Sequence, residues 1–300
     1  MEKRRLGKTD MDVSVVGFGG YEIAMKGENK NNEDVSWLLN TALDRGMNVI
    51  DTASSYLASE AMIGETVSHR RKDFYLFSKL GEGQSRGLPY PDWDVRNVQP
   101  SIERSLRDLK TDYVDLMFIH SCSEAVLRKG ELIEELKKLK EQGLTRYIGY
   151  SGDSTDALYA IGTGVFDVLQ TSLNLADQES ADLFLDKAAE RNMGLVIKRP
   201  LTNVVWERRG AENAPEDYVK RLEKLDYPFM NEGSDKLIEI SLRFVLSFPH
   251  VHMALTGTAD KEHFLQNMEY AGKGKLSDSD FQMIRNRWKV IHEPAWAGLK

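Results

Sequence analysis

Four residues have the types that one reaction would use: Asp51, Tyr56, Lys79 and His120. A phenol is a weak acid with a pKa near 10, so it serves best as a proton donor beside a cation that lowers that value. Lys79 is the candidate cation, and Asp51 would hold it charged and oriented. The imidazole of His120 would hydrogen-bond an oxygen on which negative charge develops. Together they suit a carbonyl that accepts a hydride at carbon and a proton at oxygen. Taken singly, each has a plainer reading: an Asp that opens a turn, a Lys that snorkels to solvent, a His that is merely hydrogen-bonded.

Each residue closes, or closely follows, a short apolar run. Asn48 to Asp51 ends one run, with Tyr56 five residues beyond; Phe74 to Lys79 is a second and Tyr113 to His120 a third. The four meet only if these runs are parallel strands with their C-terminal ends on one face, where a parallel barrel presents its chemistry.

The rest of the chain supports that arrangement. Arg4 to Leu6 and Asp12 to Val15 flank Gly7 and Asp10 and read as a hairpin. A first buried strand, Val15 to Gly20, follows. Its glycines invite a dinucleotide-fingerprint reading, which fails because the third glycine position falls on Glu22 and the helix begins only near Asn31 or Asn32, either of which could cap it. Gly17, Gly19 and Gly20 read instead as close-packing positions. Strands and amphipathic helices then alternate: helices at 33–45, 59–69, 96–110, 130–142, 155–161, 181–192 and 235–247, strands at 146–150, 167–172, 195–198 and 251–255, and closing helices at 260–271 and 278–290. Such alternation argues for a parallel sheet, and eight units without an internal linker favour closure into one barrel over an open doubly wound sheet.

The run Gly46 to Tyr56, with Lys79 and His120, resembles the aldo-keto reductase superfamily, whose catalytic tetrad is Asp, Tyr, Lys and His in this order. The resemblance spans nearly the whole chain and resembles the bacterial-type general aldo/keto reductases. It implies an α/β fold, a (β/α)8 TIM barrel in one domain over residues 1–300, its bottom closed by the N-terminal hairpin and with extra C-terminal helices. It also implies NAD(P)H-dependent reduction of aldehydes or ketones without a Rossmann domain. Ser151 and Gln170 match the positions that hold the nicotinamide carboxamide. Gly20, Tyr21, Lys198, Arg199, Pro200, Leu201, Thr256, Gly257, Thr258, His263 and Asn267 match cofactor-binding stretches, Asn267 at the adenine. Thr256 to Thr258 also lead into a helix whose N-terminus suits a phosphate.

The sequence departs from the family at four places. Gly152 replaces an Asn beside the carboxamide, Lys198 stands where many members have an aromatic ring, and Gly257 and His263 stand where NADP-dependent members often have Lys and Arg. Lys198, Arg199, Lys261 or a protonated His263 would have to supply compensating charge. NADP(H) is the expected cofactor, with NAD(H) as the alternative.

Composition narrows the partners. At 300 residues, 41% hydrophobic and 29% charged, with a formal net charge of -7, the chain has material for a large core. Acidic and basic residues are interspersed, so no basic face offers itself to nucleic acid or an anionic membrane. Glu131 to Glu141 is the solvated side of an amphipathic helix. Cys122 is the only cysteine, and the N-terminus lacks an apolar signal core. A reducing, cytoplasmic setting is expected. Oligomeric state has no signature.

Two loops, 82–94 and 202–233, break the spacing and carry Tyr90, Trp93, Trp206, Tyr227 and Phe229. Tyr21, Trp93 and Trp206 are the candidate substrate-pocket residues; the alternative is that the loop aromatics pack their own loops. Three rival functions remain: an NAD-linked sugar or alcohol dehydrogenase, a nucleotide-sensing barrel with little turnover, and a metal hydrolase. The last has only His250 and His252 closely spaced, at the start of the last strand, so no metal site is expected.

Overall fold

The computed structural model describes residues 1–25, 32–84, 87–208 and 215–299. Asn31, one of the two expected helix caps, lies outside the described residues, as do 85–86 and 209–214 of the two long loops.

Ten strands are present among the described residues: β1 Lys3–Arg5, β2 Asp12–Ser14, β3 Val16–Gly19, β4 Val49–Asp51, β5 Tyr75–Leu80, β6 Val114–His120, β7 Thr145–Ser151, β8 Val168–Ser172, β9 Gly194–Lys198 and β10 Met253–Thr256. β3 to β10 run parallel in chain order, and β10 pairs back with β3. The result is the closed (β/α)8 barrel expected from the alternation, with helices outside.

Side chains alternate along a strand, so residues two apart share a face. The inward residues form their own apolar cluster, in which Val49, Phe77, Phe118, Val168, Val196 and Met253 are fully buried. Gly149 completes this layer by having no side chain: a Cβ there would stand 2.5 Å from the Phe118 ring. The β1–β2 hairpin is antiparallel and sends Leu6, Met11 and Val13 into the same cluster. Gly7 packs against the start of β9, where a Cβ would meet Gly194 N at 2.3 Å. The outward apolar residues pack with the helices in a second, larger core.

Two helical expectations change. The helix expected at 181–192 is two pieces, Glu179–Leu183 and Leu185–Glu190, because Phe184 leaves helical dihedrals (φ -153°) with its ring buried in the core. The loop 202–233 contains the helix Glu216–Leu225, whose buried Tyr218, Leu222 and Leu225 make one apolar face. No helix among the described residues is long and apolar enough to cross a membrane.

One helix contact depends on a single glycine. Gly64, in the helix Ser59–Val67, lies so close to the helix Val98–Leu109 that a Cβ would stand 2.1 Å from the Asp108 carbonyl oxygen. Gly64→Ala must push the two backbones apart and should cost about 1–3 kcal/mol. The urea midpoint should fall with an unchanged slope; an unchanged midpoint would refute the contact.

Candidate functional site

The register that builds the apolar layer also builds the polar one above it. Asp51, Lys79, His120, Ser151, Gln170 and Lys198 each lie two residues beyond Val49, Phe77, Phe118, Gly149, Val168 and Val196, and so face inward at the C-terminal ends of their strands. Adjacent strands place Gly19 beside Asp51, His120 beside Ser151, and Ser151 beside Gln170.

Lys79 and Asp51 form the buried centre, exposed by only 1% and 2%. The ammonium donates to Asp51 Oδ1 at 2.5 Å and to the Thr52 carbonyl oxygen at 2.7 Å. Gln170 Nε2 donates to Asp51 Oδ2 at 2.8 Å, and Gln170 Oε1 accepts from Ser151 Oγ at 2.9 Å. Both carboxylate oxygens are thereby occupied, as a buried charge requires.

Tyr56 reaches this centre because the chain after β4 stays pinned to β5. Thr52 N donates to the Phe77 carbonyl oxygen and Ser54 N to that of Lys79, after which Tyr56 N closes a turn on Ala53 O. The Lys79 ammonium then lies 4.9 Å from the centre of the Tyr56 ring. The His120 ring meets Tyr56 edge-on at 5.8 Å, and the Tyr21 ring does the same from another side at 5.1 Å.

These neighbours set the protonation preferences. Burial raises the Tyr56 phenol above its ordinary value; Lys79 pulls it down and Asp51 pushes it up. The expected lowering by the cation is therefore present but outweighed. Burial opposes the charge of Lys79, yet Asp51 and Tyr56 together hold its ammonium above the ordinary value. Burial lowers His120, against a pull upward from Glu82.

Glu82 is a residue that the sequence reading passed over as the start of a loop. Its Oε2 lies 3.0 Å from His120 Nδ1, with Ser55 Oγ 3.4 Å from the same nitrogen. Trp93 Nε1 donates to the His120 carbonyl oxygen at 2.7 Å. Gly81 admits that indole, since a Cβ there would stand 2.7 Å from it.

The expected pocket aromatics separate. Tyr21 and Trp93 sit beside Tyr56 and His120, and Tyr21 is 43% exposed. Trp206 lies elsewhere: it donates to Ser234 Oγ at 2.9 Å and lines a surface groove with Leu222, Met230 and Leu237. Tyr227 and Phe229 stack on each other at 5.2 Å and are buried, so these two pack their own loop. Cys122 is buried in the outer core, and its carbonyl oxygen accepts from Tyr150. His252 Nδ1 accepts from Leu195 N at 3.0 Å.

The residues matched to cofactor-binding stretches line the same end of the barrel. Gly20 N donates to the Asp51 carbonyl oxygen at 2.7 Å. Gly257, after β10, approaches Gly19 closely enough that a Cβ would stand 3.0 Å from Gly19 O. Thr258 Oγ1 accepts from Asp260 N, and Asn267 is buried in the helix Lys261–Gly272. Pro200 and Leu201 follow β9 after Arg199.

Every cation considered for a phosphate has an internal partner. Lys198 pairs at 2.9 Å with Asp153, itself held by Thr171 and by Ser172 N. Arg199 donates to the carbonyl oxygen of Leu299. Lys261 pairs with Asp34 at 2.7 Å, and the exposed His263 lies 4.0 Å from Asp260. The start of the helix Lys261–Gly272 is also occupied: the Asp260 carboxylate accepts from Glu262 N at 2.8 Å and His263 N at 3.0 Å. Two of the backbone donors expected for a phosphate therefore already have an acceptor.

Comparison with known proteins bears on the family and the fold. The model of the aldo/keto reductase family matches residues 15–289. The oxidoreductase YqkF of Bacillus subtilis is 27% identical over 96% of this chain and 97% of its own length. L-galactose dehydrogenase of Arabidopsis thaliana is 26% identical over 89% and 87%. Among solved structures, PA4992 of Pseudomonas aeruginosa superposes with a TM-score of 0.73 at 26% identity, covering 90% of this chain and 94% of that one. The aldo-keto reductase AKR11C1 of Bacillus halodurans shares the fold at a TM-score of 0.80, with 23% identity and 96% of each chain covered.

Proposed function

Because the chain belongs to the aldo/keto reductase family of NAD(P)H-dependent oxidoreductases, we propose that it reduces small aldehydes or ketones to alcohols with Tyr56 as the proton donor. The observation that carries this reading is the Lys79 ammonium, fixed by the Asp51 carboxylate and 4.9 Å from the Tyr56 ring. A proton leaving the phenol exposes negative charge beside a cation that is already oriented, so little reorganisation accompanies the transfer. Lys79 and Asp51 tune the phenol, and His120 polarises the carbonyl oxygen. Tyr21 and Trp93 give the pocket an aromatic wall suited to apolar or mixed substrates.

The residues fit a nicotinamide dinucleotide at its nicotinamide end. Gln170 spends one amide hydrogen on Asp51 and has a second for a carboxamide oxygen, beside the Ser151 hydroxyl. The facing glycines 19 and 257 let a ligand approach the backbone closely. When bound, the reduced cofactor supplies the hydride. Gly20, Tyr21, Lys198 to Leu201 and Thr256 to Asn267 would flank it.

Family resemblance favours NADP(H), but a second reading has its own support. Among the described residues, Lys198, Arg199 and Lys261 are all engaged internally, so these three cations leave a 2'-phosphate little free positive charge. This favours NAD(H), and with it NAD-linked oxidation of an alcohol or sugar; one relative is named as a sugar dehydrogenase, L-galactose dehydrogenase. Fluorescence titration with NADPH and NADH separates the two: tighter NADPH binding supports the first reading, equal or tighter NADH binding the second. If neither nucleotide binds, the functional proposal fails.

A further inference from the structure

We propose that Glu82 is a positioning residue that keeps a proton on Nδ1 of His120, so that Nε2 donates a hydrogen bond to the carbonyl oxygen only while the ring carries both protons. The inference rests on the carbonyl-reductase reading above and assigns His120 a charge state within it. Glu82 Oε2 lies 3.0 Å from Nδ1, whereas Ser55 Oγ is at 3.4 Å, so the carboxylate is the nearer partner. An ionised carboxylate only accepts hydrogen bonds, and the nitrogen facing it must therefore be the donor. The hydrogen bond to His120 holds Glu82 below the usual carboxylate range despite its burial, which keeps it an acceptor.

The consequence lies at the other nitrogen. Nε2 has no partner among the described residues, and the ring meets Tyr56 edge-on. A neutral ring with its proton on Nδ1 presents a lone pair at Nε2, which would repel a carbonyl oxygen. The doubly protonated ring presents an N–H there. Reduction then needs the imidazolium, whereas oxidation of an alcohol would use the neutral ring as a hydrogen-bond acceptor. The groups that bear on this charge are Glu82, which favours it, and Lys79 and Lys198, which oppose it along with burial; the neutral Tyr56 phenol adjoins the ring. Glu82 thus has a role that its place at the start of a loop did not suggest.

The test has two arms. In Glu82→Gln the amide oxygen can still accept from Nδ1, but the negative charge is gone. The pH above which reduction falls off should move down by about one unit or more, with cofactor affinity unchanged, and Glu82→Asp should restore part of the shift. An unchanged profile in a folded, active Glu82→Gln protein would overturn the proposal. The second arm does not depend on turnover: nitrogen-15 NMR of the wild-type protein with histidine labelling, His120 being assigned by its loss in His120→Asn. Near neutral pH the proton of the neutral ring should lie on Nδ1. A neutral ring protonated on Nε2 would overturn the assignment even if the variant is inactive. An Nδ1 proton in a protein that reduces no carbonyl would retain the Glu82 contact and reject the reductase reading instead.

Discussion

Tyr56→Phe is expected to lower kcat for carbonyl reduction by about 10²–10⁴-fold, the range for loss of a positioned acid. The change removes one oxygen and keeps the ring, so the edge-on contacts with Tyr21 and His120 survive. The cofactor contacts proposed for Ser151, Gln170 and the segments after β9 and β10 do not involve the phenol. The dissociation constant for the reduced dinucleotide should therefore stay within about twofold, which marks an interaction made chiefly in the transition state. Steady-state kinetics with an aromatic aldehyde, paired with fluorescence titration, separates the two quantities. Equal loss of affinity and turnover would contradict the role assigned to the phenol.

Lys79→Met should be nearly as damaging to turnover and, unlike Tyr56→Phe, should also destabilise the fold. The substitution leaves the Asp51 carboxylate buried with Gln170 as its remaining side-chain partner. Breaking a buried ion pair from one side typically costs about 3–5 kcal/mol, mostly from the uncompensated charge. Adding Asp51→Asn removes that charge. The double variant should recover much of the urea resistance while remaining inactive. If activity returned with stability, Lys79 would be only a structural partner of Asp51.

Much of the architecture was legible because two periodicities agree. Short apolar runs ending in Asp51, Lys79 and His120 alternate with amphipathic helices, and that pattern located the strands and the titratable residues at their C-terminal ends. The inward apolar layer of Val49, Phe77 and Phe118, two residues earlier, is set by the barrel register. The break at Phe184 was not legible, since the apolar pattern continues across it and only backbone dihedrals mark the kink. The helix Glu216–Leu225 carries Tyr218, Leu222 and Leu225 at helical spacing, but it was missed because the whole segment 202–233 was read as loop.

The site was less readable where it depends on pairs distant in sequence. Nothing local tells Glu82 that it will face His120, or Lys198 that Asp153 will hold its charge. Nor does the Asp260 that opens a helix declare whether its backbone donors will be left for a phosphate. Residue type suggested free cations after β9 and near the start of the last barrel helix. Tertiary pairing assigned them internal partners, and that pairing is why cofactor preference is the least sequence-determined feature of the site.

The most direct measurement uses reduced cofactor carrying deuterium at the transferable position. After incubation with an aromatic aldehyde or a diketone, the product is isolated and its mass determined. The proposed function predicts one deuterium on the carbinol carbon, formed at a rate that Tyr56→Phe suppresses. Cofactor recovered with its deuterium intact, although tightly bound by the protein, would contradict it and identify a barrel that binds the nucleotide without carbonyl reduction.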